Sequence, residues 1–375
     1  MMPEPRAMFS PYMHWAKTTF QANVPYSLTN SGVFSLSLRE LDVTLDDLEI
    51  SGPSYYGYPP LLSALARYCG VEPDCIVAAT GTSGANHLAM AAIIRPGDEV
   101  LIEQPAYDPI LCAASNLGAV VRRFVRPADE GFRLDPKAVA AALTPRTKLI
   151  VLTNLHNPTS CFASSEELVA IGDMARVNGA RVLVDEVYLP TLFEPVLRSS
   201  FHLGPPFLVT SSLTKAYGLS GLRCGWILAE PDLARRMWQL NDLFGVIPAH
   251  AAERLSCAAL AQIDRIAARA RALLDTNRAM IYEFLSSRAD LTGGRTHAGT
   301  VSFPRLLRGD VQTLFELALA RGTAVVPGAF FEAPEYFRIG FGCPTETLRG
   351  GLDRLAAALN ALGGPSRLRE GCCSA

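Results

Sequence analysis

The sequence predicts an α/β protein in which helices cover a mainly parallel sheet, followed by a smaller α+β part. Continuous apolar runs such as DEVLIEQ, AVVRRFV, TKLIVLTN, ARVLVDEVY, PFLVTSS and GWILAE are typical of buried strands. Helical patterns such as SGANHLAMAAII lie between them. Strands and helices that alternate in this way indicate a parallel sheet with helices on both faces.

One of these helical patterns, SSEELVAIGDMARVNG, carries signals for both of its ends. Ser164 or Ser165 can cap its N-terminus, and acidic residues occupy the first turn. Gly179 follows the last helical residue, where a left-handed conformation commonly ends a helix.

The chain changes character near residue 250. Residues 249–289 are predicted to form one long continuous helix, and shorter strands follow in GTVSFPRLL, GTAVVPG and YFRIGFG. A final helix is predicted in PTETLRGGLDRLAAALNAL. We therefore expect an N-terminal segment (1–45) that packs on the small domain, a large domain (46–275) and a small C-terminal domain (276–375).

Composition narrows the class of protein. Of 375 residues, 49% are hydrophobic and 19% are charged, which is typical of a folded globular chain. The formal net charge of −2 gives little electrostatic support for nucleic-acid binding. The first ten residues do not resemble a signal peptide, and no segment has the roughly 18 apolar residues that span a bilayer. We expect a cytoplasmic protein without membrane, nucleic-acid or metal partners.

The cysteines indicate a reducing compartment. There are nine of them, an odd number, and none forms a CxxC pair. Cys372 and Cys373 lie next to each other in a predicted tail. Scattered thiols of this kind are typical of reduced side chains in a cytosolic protein.

Polar residues follow several predicted strands, at the edge where open α/β sheets bind ligands. In ATGTSGANHLAM, Gly81, Thr82 and Ser83 lie where a strand enters a helix, and free N–H groups there suit an anion. A simple turn with an N-cap explains them equally well. The strand TKLIVLTN is followed by a turn that contains Asn154, His156 and Asn157, and Asn-Pro is also a common turn sequence.

Two further strand ends carry ionisable groups. Asp185, Glu186 and Tyr188 end ARVLVDEVY, and a buried carboxylate there needs a cationic or hydrogen-bonding partner, which a structural ion pair would also supply.

Lys215 follows PFLVTSS among small and apolar residues, a setting that lowers the pKa of an amine and favours attack on a carbonyl. Ser212 and Arg223 beside it are suitable donors for a phosphate. A phosphorylated aldehyde with a basic ring nitrogen, such as pyridoxal 5′-phosphate, requires this combination of groups.

The motifs HNPTS, VDEVY, SSLTKAYGLSGLRCGW and FRIGFG occur in one order along the chain. As a set they resemble the class I/II aminotransferases, of the aspartate aminotransferase superfamily of pyridoxal-phosphate enzymes. The resemblance extends from YYGYPPLLSALARY to FRIGFG. It implies a fold type I enzyme with a seven-stranded, mainly parallel sheet, pyridoxal 5′-phosphate as cofactor, and a homodimer with both sites at the interface.

The resemblance also implies roles for individual residues. Lys215 would bind the cofactor covalently, Asp185 would pair with its pyridine nitrogen, and Tyr107 would stack on its ring. Tyr188 and Asn157 would hydrogen-bond its phenolic oxygen. The phosphate would be held by Gly81, Thr82, Ser83, Ser212 and Arg223. The substrate α-carboxylate would be held by Arg338, with help from Asn157 and the backbone near Gly32.

The sequence departs from the family pattern at three points. Ser160 replaces the glycine that usually follows Asn-Pro-Thr, so the turn there could differ in shape. The family's tyrosine that reaches the partner's phosphate site has no clear counterpart, and the stretch GPSYYGYPP offers both Tyr55 and Tyr56 for this role. No second arginine for a side-chain carboxylate is evident, so we expect neutral, aromatic or specialised amino acids as substrates. Arg39 and Arg295 are the arginines that could reverse this expectation.

These residues predict an aminotransferase that moves an amino group between an α-amino acid and a 2-oxo acid. The same early steps also serve a pyridoxal-phosphate lyase or cyclase, as in related enzymes that make cyclic arginine derivatives. The stretch YSLTNSGVFSLSLREL resembles such specialised relatives. A non-catalytic regulator with an aminotransferase-like domain would need an additional DNA-binding domain, and the intact set of cofactor residues argues against it.

Overall fold

The computed structural model describes residues 9–19, 24–193 and 199–363. The first eight residues and the Cys372–Cys373 pair, both considered above, lie outside this part. In chain order the helices are α1 (Pro11–Thr18), α2 (Pro59–Cys69), α3 (Gly81–Ala91), α4 (Asp108–Asn116), α5 (Pro136–Ala142), α6 (Ser165–Asn178), α7 (Pro231–Asn241), α8 (His250–Ala261), α9 (Ile263–Ser286), α10 (Val311–Leu319) and α11 (Thr345–Leu362).

The strands follow the predicted apolar runs closely. They are β1 (Tyr26–Ser27), β2 (Ile76–Thr80), β3 (Glu99–Gln104), β4 (Val120–Val125), β5 (Thr147–Thr153), β6 (Arg181–Asp185), β7 (Phe207–Ser212), β8 (Cys224–Leu228), β9 (Leu291–Gly293), β10 (Val301–Ser302), β11 (Pro304–Leu306), β12 (Thr323–Ala324), β13 (Val326–Pro327) and β14 (Phe337–Gly340).

The main sheet has seven strands in the order β2-β8-β7-β6-β5-β3-β4. Strand β8 runs antiparallel to both of its neighbours, and the other pairs are parallel. This confirms the predicted α/β fold with a mainly parallel sheet. The carboxyl ends of β5, β6 and β7 lie side by side, so the residues that follow them meet at one edge.

Apolar side chains cover both faces of this sheet. Ile150 and Val182 belong to the core on one face, whereas Leu149 and Leu183 belong to the core on the other. Because successive side chains of a strand point to opposite faces, burial on both sides requires the continuous apolar runs seen in the sequence.

The predicted long helix is two helices, so that expectation was wrong. Helix α8 ends at Ala261, and α9 begins at Ile263. Gln262 between them has φ −114° and ψ 17°, which is not helical. Its side-chain amide accepts a hydrogen bond from the Asp42 backbone N–H at 3.1 Å and donates to the Asp42 carbonyl at 3.3 Å. This contact with a distant segment accompanies the break.

The C-terminal part has its own core, to which α9, α10, α11 and β14 contribute. The N-terminal segment joins it: Tyr26 and Ser27 pair in parallel with Thr323 and Ala324, and Leu28 and Val33 are buried in the same core. Domain boundaries at residues 45 and 275 remain a prediction, and the second falls inside α9. Within the described ranges, no helix is long and apolar enough to cross a membrane.

Candidate active site

Lys215 lies just beyond the carboxyl end of β7 and is half-buried. Its Nζ donates a hydrogen bond to Ser31 Oγ at 2.9 Å. Burial disfavours the ammonium form and lowers the pKa of Lys215 to about 8; Arg338 adds to this shift, whereas Asp185 opposes it. The amine is therefore a far better nucleophile and base near neutral pH than a surface lysine.

Asp185 ends β6 and is buried. Its Oδ2 accepts a hydrogen bond from Asn86 Nδ2 at 2.8 Å, and its Oδ1 accepts one from the Val187 N–H at 3.1 Å. Burial raises the pKa of Asp185 to about 6, although these hydrogen bonds oppose the shift. A buried carboxylate held by neutral donors is well suited to a cationic partner such as a protonated ring nitrogen.

The residues around the N-terminus of α3 provide donors for an anion. Thr82 Oγ1 donates to Ser212 Oγ at 2.8 Å, and the Thr214 N–H donates to the same oxygen at 3.3 Å. The Arg223 Nη2 donates to the Thr80 carbonyl at 3.3 Å. Together with the first N–H groups of α3, these hydroxyls and the guanidinium form a cradle that fits a phosphate.

Glycine is required at the centre of this cradle. Gly81 has φ +65°, and a Cβ there would lie 2.3 Å from Arg223 Nη2. The predicted phosphate residues are thus brought together, with Ser83 and Arg223 exposed at the rim.

Arg338, in β14, is fully buried. Its Nη1 donates to Asn157 Oδ1 at 3.0 Å, and its Nη2 donates to Tyr12 Oη at 2.8 Å and to the Thr29 carbonyl at 3.1 Å. Its Nε has no partner. A buried N–H without an acceptor is costly, so the site fits a ligand that brings an anionic oxygen.

Burial raises the pKa of the phenols of both predicted tyrosines, and Arg338 and Asp185 also act on both phenols. Tyr107 caps α4, and its ring packs edge-on against Tyr12 with centroids 5.7 Å apart. Tyr188 is buried, and this burial raises the pKa of its phenol to about 12, whereas Arg338 and the Ser31 hydroxyl lower it. Both phenols therefore stay protonated near neutral pH.

Ser160 adopts the conformation that the glycine at this point would favour, with φ +59°. Its Oγ donates to the Val301 carbonyl at 2.9 Å, which ties the turn to β10. Asn157 keeps its place because its N–H donates to Thr153 Oγ1 at 3.0 Å. The serine therefore adds a hydrogen bond to a turn that still presents Asn157 to Arg338.

Gly32 packs directly on the lysine: a Cβ there would lie 3.2 Å from Lys215 Cα and Cδ. In contrast, four residues considered above are exposed: Arg39, Tyr55, Tyr56 and Arg295. Tyr56 donates to Asp242 at 3.2 Å, and Arg295 donates to Ser286 Oγ at 2.6 Å. Within the single chain, neither arginine lies in the site.

Sequence reasoning missed Tyr12, Ser31 and Asn86. Asn86 lies in the quoted stretch ATGTSGANHLAM, and its amide bridges Asp185 and the hydroxyl of Thr210, which donates to Asn86 Oδ1 at 2.5 Å. The available signal was a polar side chain between the apolar residues Ala85 and Leu88, which are buried in α3. Tyr12 and Ser31 gave no local signal, because they reach the site only through tertiary folding.

Comparisons with known proteins agree with this geometry. The family model for aminotransferase class I and II matches residues 45–355. Capreomycidine synthase of Streptomyces vinaceus is 32% identical over 367 residues, covering 93% of this chain and 93% of that protein. A probable N-acetyl-LL-diaminopimelate aminotransferase of Bacillus subtilis (strain 168) is 28% identical over 316 residues, covering 80% of this chain and 79% of that one.

A solved structure is similar over almost the whole chain. It is a PLP-dependent aminotransferase from Streptococcus suis 89-1591, with a TM-score of 0.88 and 26% identity. The similarity covers 97% of this chain and all of the other, at 100%. The likeness therefore includes both the main sheet and the C-terminal part.

Proposed function

The chain belongs to the class I and II aminotransferases, its cofactor is pyridoxal 5′-phosphate, and we propose that it transfers the amino group of an α-amino acid to a 2-oxo acid. The observation that carries this proposal is the meeting of an amine, a carboxylate and a guanidinium at one sheet edge. Asp185 ends β6 and Lys215 follows the adjacent β7, while Arg338 hydrogen-bonds Asn157, which follows β5. The amine can react with the cofactor's aldehyde, the carboxylate can pair with its ring nitrogen, and the guanidinium can bind the substrate carboxylate.

When bound, the cofactor draws electron density away from the Cα–H bond of the attached amino acid. We assign to Asp185 the task of holding a proton on the ring nitrogen, because an anionic carboxylate favours the charged ring. Asn86 would keep Asp185 in position, since its amide donates to one carboxylate oxygen. Tyr188 and Asn157 would hydrogen-bond the phenolic oxygen, and Tyr107 would cover one ring face.

Lys215 is the proposed base that takes the proton from Cα. Its pKa of about 8 leaves about a tenth of the amine unprotonated at pH 7, far more than for a lysine with the ordinary pKa. For transamination, the same amine must deliver the proton to the C4′ atom of the cofactor.

Arg338 is the proposed partner of the substrate α-carboxylate. A guanidinium binds a carboxylate through two parallel N–H groups, either those of Nε and Nη2 or those of Nη1 and Nη2. Nη2 therefore takes part in both arrangements. That nitrogen already donates to Tyr12 Oη and to the Thr29 carbonyl. A bidentate carboxylate would therefore take the place of one acceptor, and the side-chain hydroxyl of Tyr12 can leave more easily than the backbone.

We expect Arg338→Lys to lower kcat/KM for α-amino acids by about 10- to 100-fold, because lysine cannot form two parallel hydrogen bonds. Amines that lack the carboxylate should react poorly with both proteins. The measurement is steady-state kinetics on each amino acid and its decarboxylated amine. Arg176→Lys, which changes an exposed arginine of α6 that pairs with Asp173, is the control. Equal rates for the amino acid and its amine in the wild type would show that Arg338 does not bind the substrate α-carboxylate.

A second candidate is a cyclase that acts on a specialised amino acid. The relative that supports it is a synthase, and it aligns over 93% of this chain, or about 349 of 375 residues. At most about 26 residues remain unaligned, so the alignment reaches the segment that carries Ser31. Proton removal from Cα would then be followed by loss of a β-substituent and attack by a side-chain nitrogen.

Product stoichiometry separates the two reactions. An aminotransferase given one amino acid and no acceptor forms one 2-oxo acid per cofactor, and turnover requires a second 2-oxo acid. A cyclase turns over repeatedly without an acceptor, and its product retains the amino nitrogen. A screen of neutral, aromatic, basic and β-substituted amino acids, with product mass measured in each case, decides between them. A strong preference for aspartate would instead show that a side-chain arginine was missed.

We also propose a homodimer that completes the cofactor site. Exposed apolar side chains, including Leu243 (78% exposed) and Phe244 (65%), follow Asp242 in the chain, and Asp242 accepts a hydrogen bond from Tyr56, next to the exposed Tyr55 (78%). Phe244 packs edge-on against His87 of α3, the helix whose N-terminus forms the phosphate cradle. This apolar surface is therefore continuous with the open rim of that cradle, where a partner tyrosine, Tyr55 or Tyr56, would reach the phosphate.

We expect Phe244→Asp to produce monomers with weakened cofactor binding, because a charge there opposes burial against a second copy. Val177→Asp, at a position that is 91% exposed on α6, should leave the dimer intact. Light scattering and cofactor titration measure both properties. A wild-type protein that is monomeric at micromolar concentration would contradict the proposal.

A further inference from the structure

Ser31 makes a contact that none of the motif residues accounts for. Its Oγ accepts the hydrogen bond from Lys215 Nζ at 2.9 Å, and the residue is 7% exposed. It precedes Gly32 in a segment without regular secondary structure. The described hydrogen bond of the lysine amine is therefore made with the N-terminal segment and not with β7, the strand that precedes the lysine.

The surrounding structure fixes Ser31 relative to Lys215 from two sides. The Ser31 carbonyl accepts a hydrogen bond from Thr300 Oγ1 at 2.7 Å, and both residues are buried. The Val33 N–H donates to the Lys215 carbonyl at 2.8 Å. Gly32 lies between these anchors, so close to the lysine that a Cβ would crowd its side chain. The hydroxyl is therefore held in place before any substrate arrives.

The same hydroxyl also acts on Tyr188. The Ser31 hydroxyl lowers the pKa of the Tyr188 phenol, against the larger effect of burial. A hydroxyl has one hydrogen to donate and two lone pairs that accept. Ser31 can therefore accept an N–H from Lys215 and still retain an O–H of its own to donate.

We propose that Ser31 is a positioning residue for Lys215, which aims the lone pair of the amine at the substrate Cα. This inference rests on the proposed function. By accepting one N–H, Ser31 restricts rotation of the amine. During proton removal the Cα–H bond breaks, its electron pair is drawn towards the cofactor, and a new N–H bond forms at Nζ. The resulting ammonium is a stronger donor to Ser31 than the amine, so the contact strengthens as the proton moves.

The loss of a hydrogen bond that strengthens in the transition state lowers the rate of the chemical step more than it lowers substrate affinity. We therefore expect Ser31→Ala to slow removal of the α-proton by about 10- to 100-fold, while amino-acid binding stays within about threefold of the wild type. A purely structural role would change both properties together.

Two small probes separate proton removal from binding in the holoenzyme. L-alanine has an α-hydrogen, and its exchange with D2O is followed by NMR. 2-Aminoisobutyrate carries a methyl group at that position, so it can bind but cannot lose a proton, and its affinity is read from the visible spectrum of the bound cofactor. Both carry only the groups that Lys215 and Arg338 recognise, so neither depends on a side-chain pocket.

Two further variants complete the experiment. Ser31→Thr retains a hydroxyl and should restore most of the exchange rate. Ser27→Ala removes a hydroxyl from the same segment, where it contacts Thr29 at 2.9 Å, and should have no effect. Undiminished exchange in Ser31→Ala would overturn the proposal, as would equal losses of exchange and of 2-aminoisobutyrate binding. If the wild type neither exchanges nor binds these probes, the proposed function itself fails.

Discussion

Lys215→Ala should lower the turnover rate by about 10²- to 10⁴-fold or more, because the variant lacks both the nucleophile and the general base. The phosphate cradle at Gly81, Thr82 and Ser212 does not involve the lysine side chain. The variant should therefore still bind pyridoxal 5′-phosphate, although without a covalent bond. Single-turnover kinetics and cofactor titration measure the two properties separately.

Lys148→Ala is the matched control for this experiment. Lys148 lies in β5, its side chain is exposed, and its removal leaves the site unchanged. Turnover by Lys215→Ala within about tenfold of the wild type would assign the base to another residue. Loss of turnover in both variants would point to a general loss of folding, which a thermal melt would reveal.

Asp185→Ala should slow removal of the α-proton by about a hundred- to several-thousand-fold. Breaking a buried charge pair typically costs about 3–5 kcal/mol, and this range corresponds to that change in rate. Asp185→Asn should behave similarly, because it keeps the shape but cannot supply a negative charge to the ring nitrogen. Cofactor affinity should change far less in both variants, since the phosphate is held elsewhere. Deuterium exchange at Cα measures the rate.

Glu186 provides an internal control for Asp185. It is also buried, but its Oε1 accepts hydrogen bonds from the Ser200 N–H at 2.7 Å and Ser200 Oγ at 2.6 Å, away from Asn86 and α3. Burial raises the pKa of Glu186 to about 7, so the neutral form is already partly populated at neutral pH. Glu186→Gln should accordingly leave the exchange rate almost unchanged. Near-normal exchange in Asp185→Ala, with a large loss in Glu186→Gln, would reverse the assignment.

The sequence predicts the fold well because burial on both faces leaves a direct pattern in the strands. Ile150 and Leu149 serve opposite cores, so neither position can be polar. The break at Gln262 left no such signal, because its partner is the backbone of Asp42, more than two hundred residues away in the chain. Helical periodicity on either side of Gln262 continues as if the helix were unbroken.

In the site, too, residues with a signal in the nearby sequence could be predicted, and residues placed only by tertiary contacts could not. Lys215 and Asp185 could be predicted because each follows a buried strand, where an ionisable group is conspicuous. Tyr12 lies in α1 and packs with Phe331, whereas Ser31 follows β1, which pairs with β12. Their contacts with Arg338 and Lys215 therefore could not be inferred from nearby residues. The shape of the turn at Ser160 depends on the positive φ of this residue, which the residue type alone does not predict.

Reduction of the purified holoenzyme with borohydride, followed by peptide mass mapping, tests the central claim most directly. Borohydride makes the bond between the cofactor and a lysine permanent, so the modified residue can be identified. We predict a phosphopyridoxyl adduct on the peptide that contains Lys215 and on no other lysine. An adduct on a different lysine, or a cofactor-loaded protein that yields no adduct, would contradict the account.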